Sequence, residues 1–171
     1  THAGDYRNGL FVIGGGFAGI WFSHDRAETR SLVAYPTAPR AQYAVIVGSR
    51  VIVASLYHTQ LYYTTDLTNL SVWFAGPTHG VSLSGGGCQA RSDTLAAFGG
   101  STSSVDGKPV IVFTHDGSSI VRTVTLSSSA GTYARSACCG RVGNRDIWLF
   151  ATDANELWWT DDDGQSMHLC P

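Results

Sequence analysis

A short pattern returns four times along the chain and limits its fold more than any other feature. Two bulky residues precede a hydroxyl residue, one variable residue and an aspartate. It appears as Trp21-Phe22-Ser23-His24-Asp25, Tyr62-Tyr63-Thr64-Thr65-Asp66, Val112-Phe113-Thr114-His115-Asp116 and Trp158-Trp159-Thr160-Asp161-Asp162. The hydroxyls fall at positions 23, 64, 114 and 160, a spacing of about 45 residues. Self-similarity at such a period marks a supersecondary unit that is stable only when stacked on its neighbours.

Between these points the chain reads as short strands rich in β-branched and aromatic residues, punctuated by Gly, Pro, Asn and Asp. The first unit gives strands at 10–13, 20–23 and 31–35, after a polar lead-in at 1–9 and without a clear first strand. The second gives 43–47, 50–56, 60–64 and 72–75. The third gives 81–89, 94–98, 110–114 and 121–126, with a long loop over 99–108. The fourth gives 133–139, 146–151, 157–160 and a truncated last strand at 168–171. No stretch holds helical periodicity over three turns. The expectation is one all-β domain, a β-propeller of about four four-stranded blades over 1–40, 41–79, 80–131 and 132–171. The incomplete ends leave three arrangements open: a four-bladed ring whose termini share a blade, part of a larger ring, or a ring completed by another chain. An isolated array with open edges invites aggregation.

One motif points elsewhere. Gly14-x-Gly16-x-x-Gly19 after an apolar run matches a dinucleotide-binding fingerprint. No helical pattern follows it, the acidic residue expected about 20 residues on is missing, and no β-α alternation appears. These glycines read as a hairpin turn, and no cofactor is expected.

With 171 residues, 43% hydrophobic and 14% charged, the chain can bury a real core. A net charge of −2, with basic residues scattered singly, gives no electrostatic footprint for nucleic acid. No apolar run approaches a membrane span. A chain that starts at Thr1 is expected to be processed or excised. Cys88, Cys138, Cys139 and Cys170 fit no metal or redox motif, so no metal is expected; they permit two disulfides in three pairings, or buried thiols. Asn69-Leu70-Ser71 is a glycosylation acceptor in a eukaryotic secreted context.

The hydroxyl-x-Asp sites resemble the Asp box, or BNR repeat, with the pattern Ser/Thr-x-Asp-x-Gly-x-Ser/Thr-aromatic. Thr160-x-Asp162-x-Gly164-x-Ser166 carries it most fully, with Met167 in the aromatic place; Thr114-x-Asp116-Gly117 is one residue short. Thr64-x-Asp66 lacks the glycine and Ser23-x-Asp25 keeps only the start. The resemblance implies a turn between the third and fourth strands of each blade. Asp25, Asp66, Asp116 and Asp162 would there hold their turns through backbone hydrogen bonds and do no chemistry. The acidic run Asp161–Asp163 reads as solvated charge.

Asp-box families include glycosidases such as sialidases, sorting receptors and virus or phage appendage proteins. Retaining glycosidases need two carboxylates at one pocket, and the glutamates here are Glu28 and Glu156 alone. Arg50, Arg91, Arg141 and Arg145 are the candidates for an anion clamp. A binding module needs less, since aromatic faces stack on sugar rings. Trp73 and Tyr57, near turns, lead the ligand-binding candidates, followed by Trp21, Trp148 and Arg141. The expected function is non-catalytic recognition of a glycan or glycoprotein on an extracellular or virion surface. The alternatives are a structural propeller of a virion appendage or extracellular assembly, as a homo-oligomer or with a partner chain, and a sialidase-like glycosidase.

Overall fold

A computed structural model of the chain describes residues 4–16, 19–34, 40–56, 60–75, 88–92, 96–102, 107–114, 120–128 and 131–171. These form four antiparallel sheets and no helix. Sheet I contains β1 (Gly4–Arg7), β2 (Leu10–Gly14), β3 (Gly19–Ser23) and β4 (Ser31–Ala34). Sheet II contains β5 (Arg40–Val47), β6 (Arg50–Leu56), β7 (Gln60–Thr64) and β8 (Ser71–Ala75). Sheet III contains β9 (Cys88–Ala90), β10 (Ala96–Ser101), β11 (Pro109–Thr114) and β12 (Ile120–Thr125). Sheet IV contains β13 (Ala134–Val142), β14 (Arg145–Thr152), β15 (Leu157–Thr160) and β16 (His168–Leu169). Each sheet is a meander in chain order, and among the described residues no strand is shared between the two ends of the chain.

Three expectations change. The lead-in contains β1, paired with β2 from Gly4↔Ile13 to Arg7↔Leu10. The turn between them is Asn8-Gly9, with φ of 51° and 81°, the two left-handed residues that a tight hairpin needs. The loop placed at 99–108 starts later, because β10 continues through Ser101 opposite Pro109. With β1 supplying the missing first strand, the termini do not combine into one blade. The truncated last strand is present as the two-residue β16. The Gly14-Gly16-Gly19 stretch joins two strands paired antiparallel, and the Gly15 N–H donates to the Gly19 carbonyl at 2.8 Å; a phosphate-binding helix has no place there. The expected strand residues 35, 81–87, 94 and 95 lie outside the described residues.

The sheets pack face to face through three apolar clusters, and the third strand of each sheet shows the rule. Side chains alternate across a strand, so residues one and three before each hydroxyl share a face, and the residue two before it takes the other. Ile20 and Phe22 of sheet I enter the cluster shared with sheet II, where they meet Tyr62. Leu61 and Tyr63 of sheet II enter the cluster shared with sheet III, where they meet Val112. Ile111 and Phe113 of sheet III enter the cluster shared with sheet IV, where they meet Trp158, Trp148 and Phe150. Phe113 stands edge-on to Trp148 and Phe150, at 5.8 and 5.9 Å between ring centroids.

Glycines set the closest approaches. A Cβ on Gly99 of β10 would lie 2.6 Å from the Ala134 carbonyl oxygen of β13, so bare backbone is required where sheets III and IV touch. Gly164, at φ 79°, lies against the Phe113 ring. Gly99→Ala is therefore expected to destabilise the fold by about 1–3 kcal/mol through overpacking, read from urea unfolding midpoints. Gly140→Ala, where a Cβ meets nothing within 4 Å, is the matched control and is expected to stay within about 0.5 kcal/mol.

Candidate functional site

In a meander the first and third turns lie at the same end of the sheet. Here that end carries the tight first hairpins, such as Asn8-Gly9 and Gly48-Ser49, together with the hydroxyl-x-Asp turns after β3, β7 and β15. The four sheets present this end together. A cleft of about 200 Å³ lies between the first hairpins of sheets I and II, lined by Arg7, Asn8, Ser49 and Arg50 among others. Arg91, just after β9, pairs with Asp163 in the turn after β15 at 2.7 Å. The inner strands converge as well: Asp5 on β1 accepts from the Ile46 N–H of β5 at 3.0 Å, and Arg7 donates to the Ala90 carbonyl of β9 at 2.7 Å.

The three described Asp turns share one hydrogen-bond plan. Ser23 Oγ donates to Asp25 Oδ1 at 2.6 Å and accepts from the Ala27 N–H at 2.8 Å. Thr64 Oγ1 donates to Asp66 Oδ1 at 3.1 Å and accepts from the Leu67 N–H at 3.0 Å. Thr160 Oγ1 donates to Asp162 Oδ1 at 2.7 Å and accepts from the Gly164 N–H at 3.1 Å. Each carboxylate then accepts a backbone N–H further on: Thr29 at 2.9 Å, Thr68 at 2.9 Å and Ser166 at 3.0 Å. Positive φ at Ala27, Leu67 and Asp163 tightens each loop. Asp116 and His115 lie outside the described residues.

Hydrogen bonds to a charged carboxylate favour the charged form. Those from the Ser23 and then the Thr29 hydroxyl lower Asp25 to about 2. Thr68, through side chain and backbone, lowers Asp66 to about 2. Ser166 holds Asp162 well below the usual carboxylate range in the same way.

The other acidic groups of sheet IV are also engaged. Asp163 takes Arg91 at 2.7 Å and the Trp148 indole N–H at 3.1 Å. Asp161 takes Arg145 at 3.0 Å. Asp153 accepts the N–H groups of Thr132 and Tyr133, and Glu156 accepts the Trp158 indole N–H at 3.1 Å. The acidic run is thus bonded rather than merely solvated, and among the described residues no group of three or more acidic, His or Cys side chains is placed to hold a metal ion. Glu28 lies in the turn after β3 and Glu156 in the turn before β15, which are opposite ends of the sheets. The fold does not bring these two glutamates to one pocket.

The expected arginine clamp is not assembled. Arg91 and Arg145 are paired with carboxylates, and Arg50 lies over the Tyr63 ring at 4.8 Å. Arg141 is exposed on β13. Trp148 is 0% exposed and its indole N–H is bonded, so it offers nothing to a ligand; its place opposite Phe113 makes it core. Trp21 is half-buried beneath Arg30, at 5.4 Å from the ring centroid. Tyr57 lies outside the described residues; Trp73 is on β8, with its side chain outside them. Cys138, Cys139 and Cys170 are free thiols, so the two-disulfide framework is not formed. Cys138 and Cys139 point to opposite faces of β13; burial pushes the Cys139 thiol up against the pull of Arg91. Asp5 and Arg7 were not candidates from sequence. The signal for them is the Asn8-Gly9 hairpin, which turns the polar lead-in into an inner strand.

The lowered carboxylates set a pH dependence. Asp25 and Asp66 titrate lower in the folded chain than in the unfolded one, where Asp lies near 3.9. Their contribution is complete above that value and is lost as pH falls through about 2. Urea midpoints measured between pH 7 and pH 2 are expected to be level down to about pH 5 and to fall steeply below about 4. Asp66→Asn is expected to lower the neutral midpoint and flatten the acid fall.

No family model matches the chain, and no curated protein matches it. Solved structures match over nearly its whole length. A chain in a crystal structure of a nidogen/laminin complex aligns with a TM-score of 0.68 and 11% identity, over 98% of this chain and 62% of that one. BamB from Moraxella catarrhalis aligns with a TM-score of 0.62 and 16% identity, over 98% and 50%. A GH74 xyloglucanase from Xanthomonas campestris aligns with a TM-score of 0.56 and 16% identity, over 95% and 28%. The chain therefore spans between about a quarter and three-fifths of these chains. At these identities the likeness is one of fold, and it is to β-propellers: the four sheets are propeller blades.

Proposed function

We propose that the chain is a non-catalytic Asp-box propeller module that recognises a glycan or glycoprotein surface outside a cell or on a virion. The observation that carries this reading is the employment of the acidic groups. Asp25, Asp66 and Asp162 are bonded within their own turns, while Asp163, Asp161 and Glu156 are bonded to Arg91, Arg145 and Trp158. A glycosidase needs a carboxylate free to take or give a proton beside a second one. Groups held in structural bonds suit a rigid surface on which loops do the recognising. The end with the first hairpins and Asp turns offers such a surface, with paired charges and the cleft beside Arg7 and Arg50. The similarity to a glycan-degrading GH74 fold and to a chain from a nidogen/laminin complex is compatible with either partner class.

A role in assembly is the second reading, favoured by the apolar outer faces of the first and last blades. Tyr6 is 55% exposed, and Leu32 and Leu157 are each 41% exposed. Blades buried on one side only suit an arc of a larger or shared ring.

A glycan-array screen of the purified chain tests the first reading. Saturable binding to one sugar class without product release is expected, weakened at least tenfold in Trp73→Ala or Tyr57→Ala, with Trp148→Phe changing stability rather than affinity. Binding to no sugar contradicts it, and sugar hydrolysis retained in Glu28→Gln and Glu156→Gln would point to a catalytic centre elsewhere.

A further inference from the structure

The first hairpins of blades I and II face each other across the cleft of about 200 Å³, and each contributes one guanidinium to it. Arg7 and Asn8 come from blade I, Ser49 and Arg50 from blade II. Ile46 and Val51 form an apolar part of the wall that is fixed in the core, at 4% and 3% exposed. Among the described residues no carboxylate lines the cleft. Both guanidiniums are held by the fold. Arg7 donates to the Ala90 carbonyl at 2.7 Å and lies 3.3 Å from Asp5, while Arg50 lies over the Tyr63 ring at 4.8 Å. Side chains already ordered in this way lose little freedom on taking a ligand. The four arginines expected to act together are dispersed, but Arg50 shares this cleft with Arg7.

Blade IV shows what such a hairpin corner does. Its first hairpin has the same kind of turn, with Gly143 at φ 63° where blade II has Gly48 at φ 59°. An arginine closes the turn in both, paired as Val142↔Arg145 and as Val47↔Arg50. At the tip of the longer blade IV hairpin, Arg145 takes the carboxylate of Asp161 at 3.0 Å. Asp161 is the residue directly after the turn hydroxyl of its blade, and in blade II that residue is Thr65. The corresponding place beside Arg50 therefore carries a hydroxyl where blade IV carries a carboxylate.

We propose that this cleft binds the carboxylate of a uronic acid residue, with Arg50 and Arg7 on the carboxylate and Asn8 and Ser49 on the ring hydroxyls. The proposal rests on the glycan-recognition reading and names the class of sugar that is read. A planar guanidinium fork matches a planar carboxylate, and bonds of this kind are stronger than those between neutral groups. The apolar wall at Ile46 and Val51 suits the C–H face of a sugar ring. The size of the cleft admits one such ring, so a single acidic residue is recognised rather than a length of chain.

Calorimetric titration of the purified chain tests this. The probes are oligogalacturonate and oligomannuronate, each beside the same oligomer with its carboxyl groups reduced, and a sulfated galactan oligomer. At least one oligouronide is expected to bind about tenfold or more tighter than its reduced form, and to weaken as salt is raised. Arg50→Gln is expected to bring the two forms to equal affinity. Ser49→Glu, at an exposed hairpin position, sets a like charge in the cleft and is expected to remove oligouronide binding. Both variants are expected to keep the wild-type circular dichroism spectrum. Arg141→Gln removes the same charge from an exposed site on β13, outside the cleft, and is expected to change nothing. Equal binding of acidic and reduced oligomers overturns the proposal and leaves the glycan reading standing. So does a preference that survives Arg50→Gln, or binding of the sulfated oligomer as tight as that of the uronides. Binding of no saccharide, here or on the array, overturns the glycan reading and the proposal with it.

Discussion

A four-stranded sheet with apolar side chains on both faces has no stable existence in water by itself, and every other feature of this molecule follows from that constraint. Each third strand carries an aliphatic and an aromatic residue forward and one bulky residue back. Burying them removes apolar area from water at roughly 25 cal/mol per Å², a gain available only when the next sheet is in place. The forward aromatic is the largest single element, and across the third and fourth blades it becomes the Phe113, Trp148 and Phe150 cluster. The glycines at 99 and 164 exist to let that contact close, because a side chain at either would strike the neighbouring blade.

The polar chemistry is arranged around the same requirement. Each hydroxyl-x-Asp turn follows directly on the strand that carries the packing residues, so the carboxylate fixes the strand's end where the next blade must meet it. In blade IV the neighbouring Asp163 extends this across the blade boundary, joining Arg91 of blade III to the Trp148 indole. At the inner strands Asp5 and Arg7 tie the first blade to the second and third through backbone groups. Charges spent in this way explain why an arginine cluster legible in the sequence does not form an anion clamp.

Much of the architecture was legible because the repeat couples composition to position: bulky residues, a hydroxyl and an aspartate recur where a strand meets a turn. The strand at Gly4–Arg7 was less visible, since its residues are polar and lack the β-branched signature, although Asn8-Gly9 announces a hairpin. The glycines of β10 resembled a loop because a close approach between sheets leaves the same trace as a flexible turn. Which face of a strand meets which neighbour was not legible at all. Strands buried on both sides are apolar throughout, so Trp148 and Trp21 look equivalent in sequence while one is sealed in a core and the other is half-buried beneath Arg30.

Forward aromatics couple successive blades, and a double-mutant cycle between Phe113 and Trp148 measures that coupling. Phe113→Leu, Trp148→Phe and the double variant would be compared by urea unfolding at neutral pH. Edge-to-face contact at 5.8 Å predicts a coupling energy of about 0.5–1.5 kcal/mol. Strict additivity of the two substitutions would mean that the third and fourth blades do not meet through these rings.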